Sequence, residues 1–70
     1  GGSAPTILNA SNEIAVEAFL KKKISFLSIS KIVDLTLNKY NICSLNTIEE
    51  VIESDNEARI MANEFVTVES

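Results

Sequence analysis

The chain has 70 residues, of which 46% are hydrophobic, and its ten acidic and six basic side chains give a net charge of −4. This length allows one domain, residues 1–70, with a small core, and the negative charge argues against nucleic-acid binding. Because the chain has no histidine and one cysteine, it cannot hold a Ser–His or Cys–His nucleophile pair or an internal disulfide, and a zinc site is not expected.

The first helix is predicted over residues 4–21. Ser3 can cap it, and Pro5 fits the first helical turn, where the missing N–H is not needed. Apolar residues then recur at three- and four-residue steps, which indicates one buried stripe: Ile7, Leu8, Ala10, Ile14, Ala15, Ala18 and Phe19. The lysines that follow, 21–23, complement the helix dipole.

The second helix is predicted over residues 26–40, with Ser25 as its cap. Its apolar stripe follows the i, i+3, i+4, i+7 pattern of a helix with one buried face: Ile29, Ile32, Val33, Thr36, Leu37 and Tyr40. Asn38 and Asn41 suit a left-handed residue at the end of this helix.

The third helix is predicted over residues 47–66. Thr47 and Glu50 have the spacing of a capping box, in which each side chain bonds a free amide of the first turn. The stripe runs along the whole helix: Ile48, Val51, Ile52, Asp55, Ala58, Ala62, Phe65 and Val66. Residues 67–70 are expected to fray. Three such helices predict an all-α, three-helix antiparallel bundle.

Five polar residues on these helices are candidates for structural or interdomain contacts. Asp55 falls on the apolar stripe, and Arg59 lies four residues later, the right spacing for an ion pair on one face. A metal or catalytic role for Asp55 is the alternative. Asn9, Asn12 and Glu13 could contact another domain or stiffen a lid. Alternatively, the two amides bond nearby backbone and Glu13 is a surface residue, since asparagine inside a helix usually reflects a specific hydrogen bond.

Three stretches of the chain resemble the 1-deoxy-D-xylulose 5-phosphate reductoisomerase family in its C-terminal helical domain. Residues 1–20 resemble the family segment GG-x-A-P-x-x-LNAANE-x-AVEAFL, and residues 23–29 are similar to its K-I-x-F-x-D-I connection. Residues 44–59 resemble its final helix, S-x-E-E-V-x-x-x-D-x-x-AR. The chain departs from the family pattern at three positions, where Ser11 replaces Ala, Lys22 replaces Gly and Ser28 replaces Asp.

This resemblance implies a parent enzyme that converts 1-deoxy-D-xylulose 5-phosphate to 2-C-methyl-D-erythritol 4-phosphate in the non-mevalonate route to isoprenoids. The parent would use NADPH and a divalent metal ion, Mg or Mn, and would lie in the bacterial cytoplasm or a plastid-type organelle. Its catalytic, cofactor-binding and metal-binding residues would precede this segment, which contributes none and braces the catalytic domain.

The same resemblance implies a four-helix bundle that lacks its first helix here, since the family has a helix before Gly1. We therefore expect an exposed apolar face, docking onto the remaining domains, and self-association when the segment is isolated. No run of roughly eighteen apolar residues occurs, so no membrane contact is expected.

Two alternatives come from other functional classes. Residues 43–51 are similar to the D-S-L motif of acyl carrier proteins, in which Ser44 would carry phosphopantetheine, although Cys43 stands where that motif has Asp. The other alternative is a generic helical protein-interaction module.

Overall fold

The structure is a computed structural model that describes residues 2–40 and 45–70. It contains three helices: α1 (Ala4–Leu20), α2 (Phe26–Lys39) and α3 (Ile48–Glu69). The predicted all-α bundle is confirmed. Contacts such as the one between Glu13 and Arg59 show that α1 and α3 run in the same direction, with α2 antiparallel to both.

The core lies where the three helices meet, and much of it is built from small side chains. Its larger cluster contains Ala15, Ala18, Ile24, Ile32, Ala62 and Val66, and its smaller cluster contains Ile7, Ala10 and Ala58. Alanines from α1 face alanines from α3, so these two helix backbones can approach closely. The stripe predicted for α2 faces this core, with Ile32 and Thr36 completely buried.

The predicted stripes of α1 and α3 are only partly buried. Leu8 is 50% exposed, and at the start of α3 Ile48 is 75% and Ile52 is 55% exposed. Each of these helices has apolar residues on a wider arc than its two neighbours can cover. The surplus therefore faces outward.

Buried hydroxyl groups mostly satisfy their hydrogen bonds within their own helix. Ser11 Oγ donates to the Ile7 carbonyl at 2.6 Å, and Thr36 Oγ1 donates to the Ile32 carbonyl at 2.8 Å. These local bonds allow a polar side chain to sit in a core without an unpaired group. Ser54 Oγ is buried without a partner among the described residues.

α1 begins without the side-chain cap predicted at Ser3, and it ends with a left-handed residue at Lys22. Ser3 has helical dihedrals (φ −78°, ψ −18°) and makes no side-chain cap bond. At the other end Lys22 adopts a left-handed conformation (φ 62°), with its N–H donating to Phe19 O and that of Lys23 to Ala18 O. This pair of bonds is the Schellman motif, in which glycine usually takes the left-handed position.

Replacing Lys22 with glycine is expected to stabilise the chain by about 1 kcal/mol, because only glycine adopts this conformation without a steric penalty. Urea unfolding followed by circular dichroism measures the change. Lys23→Gly is the control, since Lys23 has no positive φ. Equal stability changes in the two variants would contradict the explanation.

α2 also departs from the predicted caps. Ser25 precedes the helix in an extended conformation, yet its Oγ lies 3.1 Å from Ser28 Oγ and makes no cap bond. The helix ends at Lys39, with Tyr40 extended, so Asn38 is a helical residue and not a left-handed cap. Asn41 lies outside the described residues.

α3 begins with a side-chain cap close to the predicted one. Thr47 Oγ1 accepts a hydrogen bond from the Glu50 N–H at 3.1 Å. Glu50 Oε2 accepts from the N–H of Asn46 at 3.2 Å, one residue before the amide that a capping box uses. The helix also runs three residues further than predicted, to Glu69, whose carboxylate pairs with Lys31 of α2 at 3.2 Å.

Thr47→Ala is expected to destabilise the chain by about 1 kcal/mol, because the first turn of α3 loses its side-chain acceptor. Ser25→Ala removes a hydroxyl at the same helix position of α2, where no cap bond exists. We expect it to shift the urea midpoint much less. A Ser25 effect as large as that of Thr47 would count against this assignment.

Candidate functional site: the α1–α3 trough

A shallow groove, here called the α1–α3 trough, follows the seam between these two helices. Its first section is lined by Pro5, Thr6, Asn9, Val51, Ile52 and Asp55. Its second section is lined by Asn12, Glu13, Val16, Glu17, Leu20 and Arg59. All of these residues come from α1 and α3, so α2 lies outside the trough.

Arg59 lines the second section and joins the two helices. Its Nε donates to Asp55 Oδ2 at 2.8 Å, one turn earlier on α3, and its Nη2 donates to the carboxylate of Glu13 on α1. The hydrogen bonds from Arg59 to Asp55 and then to Glu13 raise the pKa of the guanidinium above its ordinary value. Two carboxylates share one cation, so the cluster carries one net negative charge.

All five polar residues singled out in the sequence line this trough. Asn9 and Asn12 are exposed, and among the described residues neither amide makes a hydrogen bond. The expected bonds from these amides to nearby backbone are therefore absent from the described part of the chain. Thr47 and Glu50, the α3 cap, lie outside the trough lining.

Two trough features were not predicted from the sequence. Glu13 and Arg59 are 46 residues apart, and nothing in the local spacing places them together. Leu20, which is 71% exposed, lies outside the apolar stripe predicted for the first helix. The width of the apolar stripes predicted for α1 and α3 was the one sequence feature that could have indicated an exposed apolar face.

A second ion pair borders the trough at the end of α1. Lys21 Nζ lies 2.7 Å from Glu17 Oε1 on the helix surface. The hydrogen bond and positive charge of Lys21 hold the pKa of Glu17 below its ordinary value. Exposed pairs of this kind add little stability.

The trough does not suit a metal ion. Glu13 and Asp55 face the guanidinium of Arg59, whose charge opposes a second cation. Over residues 2–40 and 45–70, no three acidic or thiol side chains are grouped closely enough to hold a metal. In the same ranges, no helix combines the length and apolar character needed to cross a bilayer.

A family model and individual relatives of known name match this chain, and they agree with one another. The family described as DXP reductoisomerase C-terminal domain matches residues 1–61. The 1-deoxy-D-xylulose 5-phosphate reductoisomerase of Zymomonas mobilis is 55% identical over 62 residues, or 89% of this chain. The enzyme of the same name from Acinetobacter baumannii is 48% identical over 67 residues, or 96% of this chain.

A solved structure agrees in fold as well as sequence. The Zymomonas mobilis reductoisomerase in complex with NADPH superimposes with a TM-score of 0.89 and 52% identity over 94% of this chain. The chain spans 16% and 17% of the two relatives and 18% of the solved structure.

Proposed function

Because the chain belongs to the DXP reductoisomerase C-terminal domain family, we propose that it is the C-terminal helical domain of a 1-deoxy-D-xylulose 5-phosphate reductoisomerase. The whole enzyme would convert its named substrate to 2-C-methyl-D-erythritol 4-phosphate, with NADPH as reductant and Mg or Mn as the metal. The match over residues 1–61 is the observation that carries this proposal.

The role of these 70 residues in that enzyme is structural. They offer no histidine, and the paired carboxylates of the trough are engaged by Arg59. What they offer instead is a bundle with large exposed apolar side chains, including Leu20, Phe26 and Leu27 at 71%, 69% and 82% exposure. Surfaces of this kind usually pack against a partner, so the domain braces the catalytic domain and leaves the chemistry to it.

Removing residues 1–70 from the full-length enzyme tests this role. We expect the truncated protein to lose turnover and thermal stability, because the surface that the domain covers becomes exposed. Adding the separately purified 70-residue chain should restore part of the turnover, while that chain alone should show none. Full activity and stability of the truncated enzyme would contradict the bracing role.

The isolated chain is expected to self-associate through its exposed apolar face. Sedimentation velocity should give a mass that rises above the 7.6 kDa of one chain as concentration increases. The double variant Leu20→Asp, Leu27→Asp should remain monomeric, since both side chains are mostly exposed and their replacement leaves the core intact. A compact wild-type monomer at high concentration would rule out self-association.

Asn9 and Asn12 are expected to contribute to docking onto the rest of the enzyme and to lower the stability of the isolated chain. Replacing each with alanine is expected to stabilise the isolated chain by up to about 0.5 kcal/mol, because asparagine is a poor helix former. The same changes should increase the amount of chain needed to restore turnover to the truncated enzyme. Asn38→Ala, on α2, should affect stability alone.

The acyl-carrier alternative is not favoured. Its attachment residue, Ser44, lies outside the described residues, but the family match spans that position. The same match disfavours a generic interaction module. For the parent enzyme, we propose the bacterial cytoplasm, because both named relatives are bacterial; a plastid-type organelle is the alternative.

A further inference from the structure

A second groove, here called the α2–α3 groove, lies between the end of α2 and the first half of α3. It has a volume of about 390 Å³ and shares no lining residue with the α1–α3 trough. Sites for small organic ligands begin at roughly 300 Å³. The α2–α3 groove is therefore large enough for a short, flexible molecule.

The carboxylates of this groove are close together and unpaired. Glu50, Glu53 and Glu57 line it at three- and four-residue steps, which places them on one face of α3. Glu53 and Glu57 are exposed, and neither makes an ion pair or a side-chain hydrogen bond in the part of the chain that the structure describes. Like charges at these spacings repel one another, so a positively charged ligand would relieve the repulsion.

Lys39 also lines the groove, but it does not neutralise these carboxylates. Its Nζ lies 5.6 Å from the centroid of the Phe65 ring, and Phe65 is not part of the lining. Over residues 2–40 and 45–70, Lys39 forms no ion pair with a carboxylate. The lining therefore keeps an excess of negative charge.

Ser54, in the same lining, is an independent indication of a ligand. The residue is 1% exposed, and its Oγ has no hydrogen-bond partner among the described residues. By contrast, the buried hydroxyls of Ser11 and Thr36 each donate to a carbonyl four residues earlier. An unpaired buried hydroxyl costs free energy, and a ligand that donates a hydrogen bond to Ser54 Oγ would remove that cost.

The groove suits an organic cation better than a metal ion. Over the described ranges, no three acidic or thiol side chains are close enough to hold a metal. Glu53 and Glu57 are four residues apart on α3, a spacing that separates Cβ atoms by roughly 5–6 Å. That separation matches two ammonium groups joined by a short alkyl chain, and Leu45 and Met61 offer apolar surface to the methylene groups.

We propose that the α2–α3 groove binds an aliphatic diamine of about the length of putrescine. One ammonium group lies between Glu53 and Ser54 Oγ, and the other lies at Glu57. Ammonium groups only donate hydrogen bonds, so they match both the carboxylates and the lone pairs of the hydroxyl. The site is separate from the α1–α3 trough and does not depend on whether the chain braces a catalytic domain.

Nuclear magnetic resonance of the 70-residue chain tests binding at the groove. Met61 is the only methionine in the sequence, and it lines the groove, so its isotope-labelled methyl group gives a single signal from the site. Putrescine is titrated at constant ionic strength. Butylamine, which has the same carbon chain but one ammonium group, is the matched control.

We expect the Met61 signal to shift and saturate with putrescine. Butylamine should require a concentration roughly tenfold or more higher, because it makes one set of charge-assisted hydrogen bonds in place of two. A shift that does not saturate, or equal half-saturating concentrations for the two amines, would overturn the proposal.

Two charge variants locate the ligand on α3. Glu57→Gln should raise the half-saturating concentration of putrescine roughly tenfold, since a charge-assisted hydrogen bond is lost. Glu64→Gln removes the same charge from an exposed residue of α3 outside the groove, and it should change that concentration less than about twofold. Equal effects would mean that net charge alone attracts the diamine, and the site would be refuted.

Ser54→Ala separates binding from stability. It should raise the half-saturating concentration roughly threefold or more. It should also raise the urea midpoint of the ligand-free chain, because a buried, unpaired hydroxyl is removed. Putrescine binding equal to that of the wild-type chain would refute the site. A lower urea midpoint would show that the hydroxyl already has a partner within the protein, and it would refute the site equally.

Discussion

Replacing Ile32 with alanine is expected to destabilise the 70-residue chain by about 3 kcal/mol, the largest effect of any single truncation considered. Ile32 is completely buried, and the buried residues in its cluster include Ala15, Ala18 and Ala62. These alanines have no side-chain freedom with which to fill the cavity, so the variant loses both transfer free energy and packing contacts. Urea unfolding followed by circular dichroism measures the change.

The size of this effect matters because the domain is small. At roughly 0.05–0.15 kcal/mol per residue, 70 residues give a total stability of only about 4–10 kcal/mol. Ile60→Ala is the matched control, since it removes the same atoms from a side chain that is 60% exposed. It should change stability by less than about 0.5 kcal/mol. Similar shifts for both variants would mean that Ile32 is not in the core.

The sequence predicted the positions of the helices better than it predicted which of their apolar residues are buried. The stripe predicted for α2 faces the core, with Ile32, Val33 and Thr36 buried, whereas Phe26 and Leu27 lie outside that stripe and are exposed. α1 and α3 have wider stripes, and a stripe identifies apolar residues without saying which neighbour covers them. For this reason Leu8, Ile48 and Ile52 were expected in the core and are exposed. Whether these three side chains are buried depends on how many helices pack around α1 and α3.

In the candidate site, too, contacts within one helix could be predicted from the sequence and contacts between helices could not. The pair of Asp55 and Arg59 follows from a spacing of four residues within one helix, and it is present at 2.8 Å. The contact with Glu13 depends on the register between α1 and α3, which no local pattern specifies. That register is set where the alanines of the two helices meet, including Ala10 and Ala58.

Ala58→Leu tests this account of the register. Ala58 is completely buried beside Ile7 and Ala10, so a leucine has no space and must push α1 away from α3. We expect a loss of about 2 kcal/mol from overpacking. Ala58→Ser is the control, because a small hydroxyl can bond the carbonyl four residues earlier, as Ser11 does with Ile7. Its cost should be below about 1 kcal/mol.

Ala58→Leu should also separate Glu13 on α1 from Arg59 on α3. In the wild-type chain, a double-mutant cycle between Glu13→Gln and Arg59→Gln should give a coupling energy, because the two side chains are hydrogen-bonded across the seam. In the Ala58→Leu background that coupling should fall to zero, while the coupling of Asp55 to Arg59, within one helix, should persist. Retention of the Glu13 coupling would show that flexible side chains, and not the alanine seam, bring the two charges together. The alanines packed between α1 and α3, including Ala58 next to Arg59, would then stabilise the bundle without determining the contact between Glu13 and Arg59.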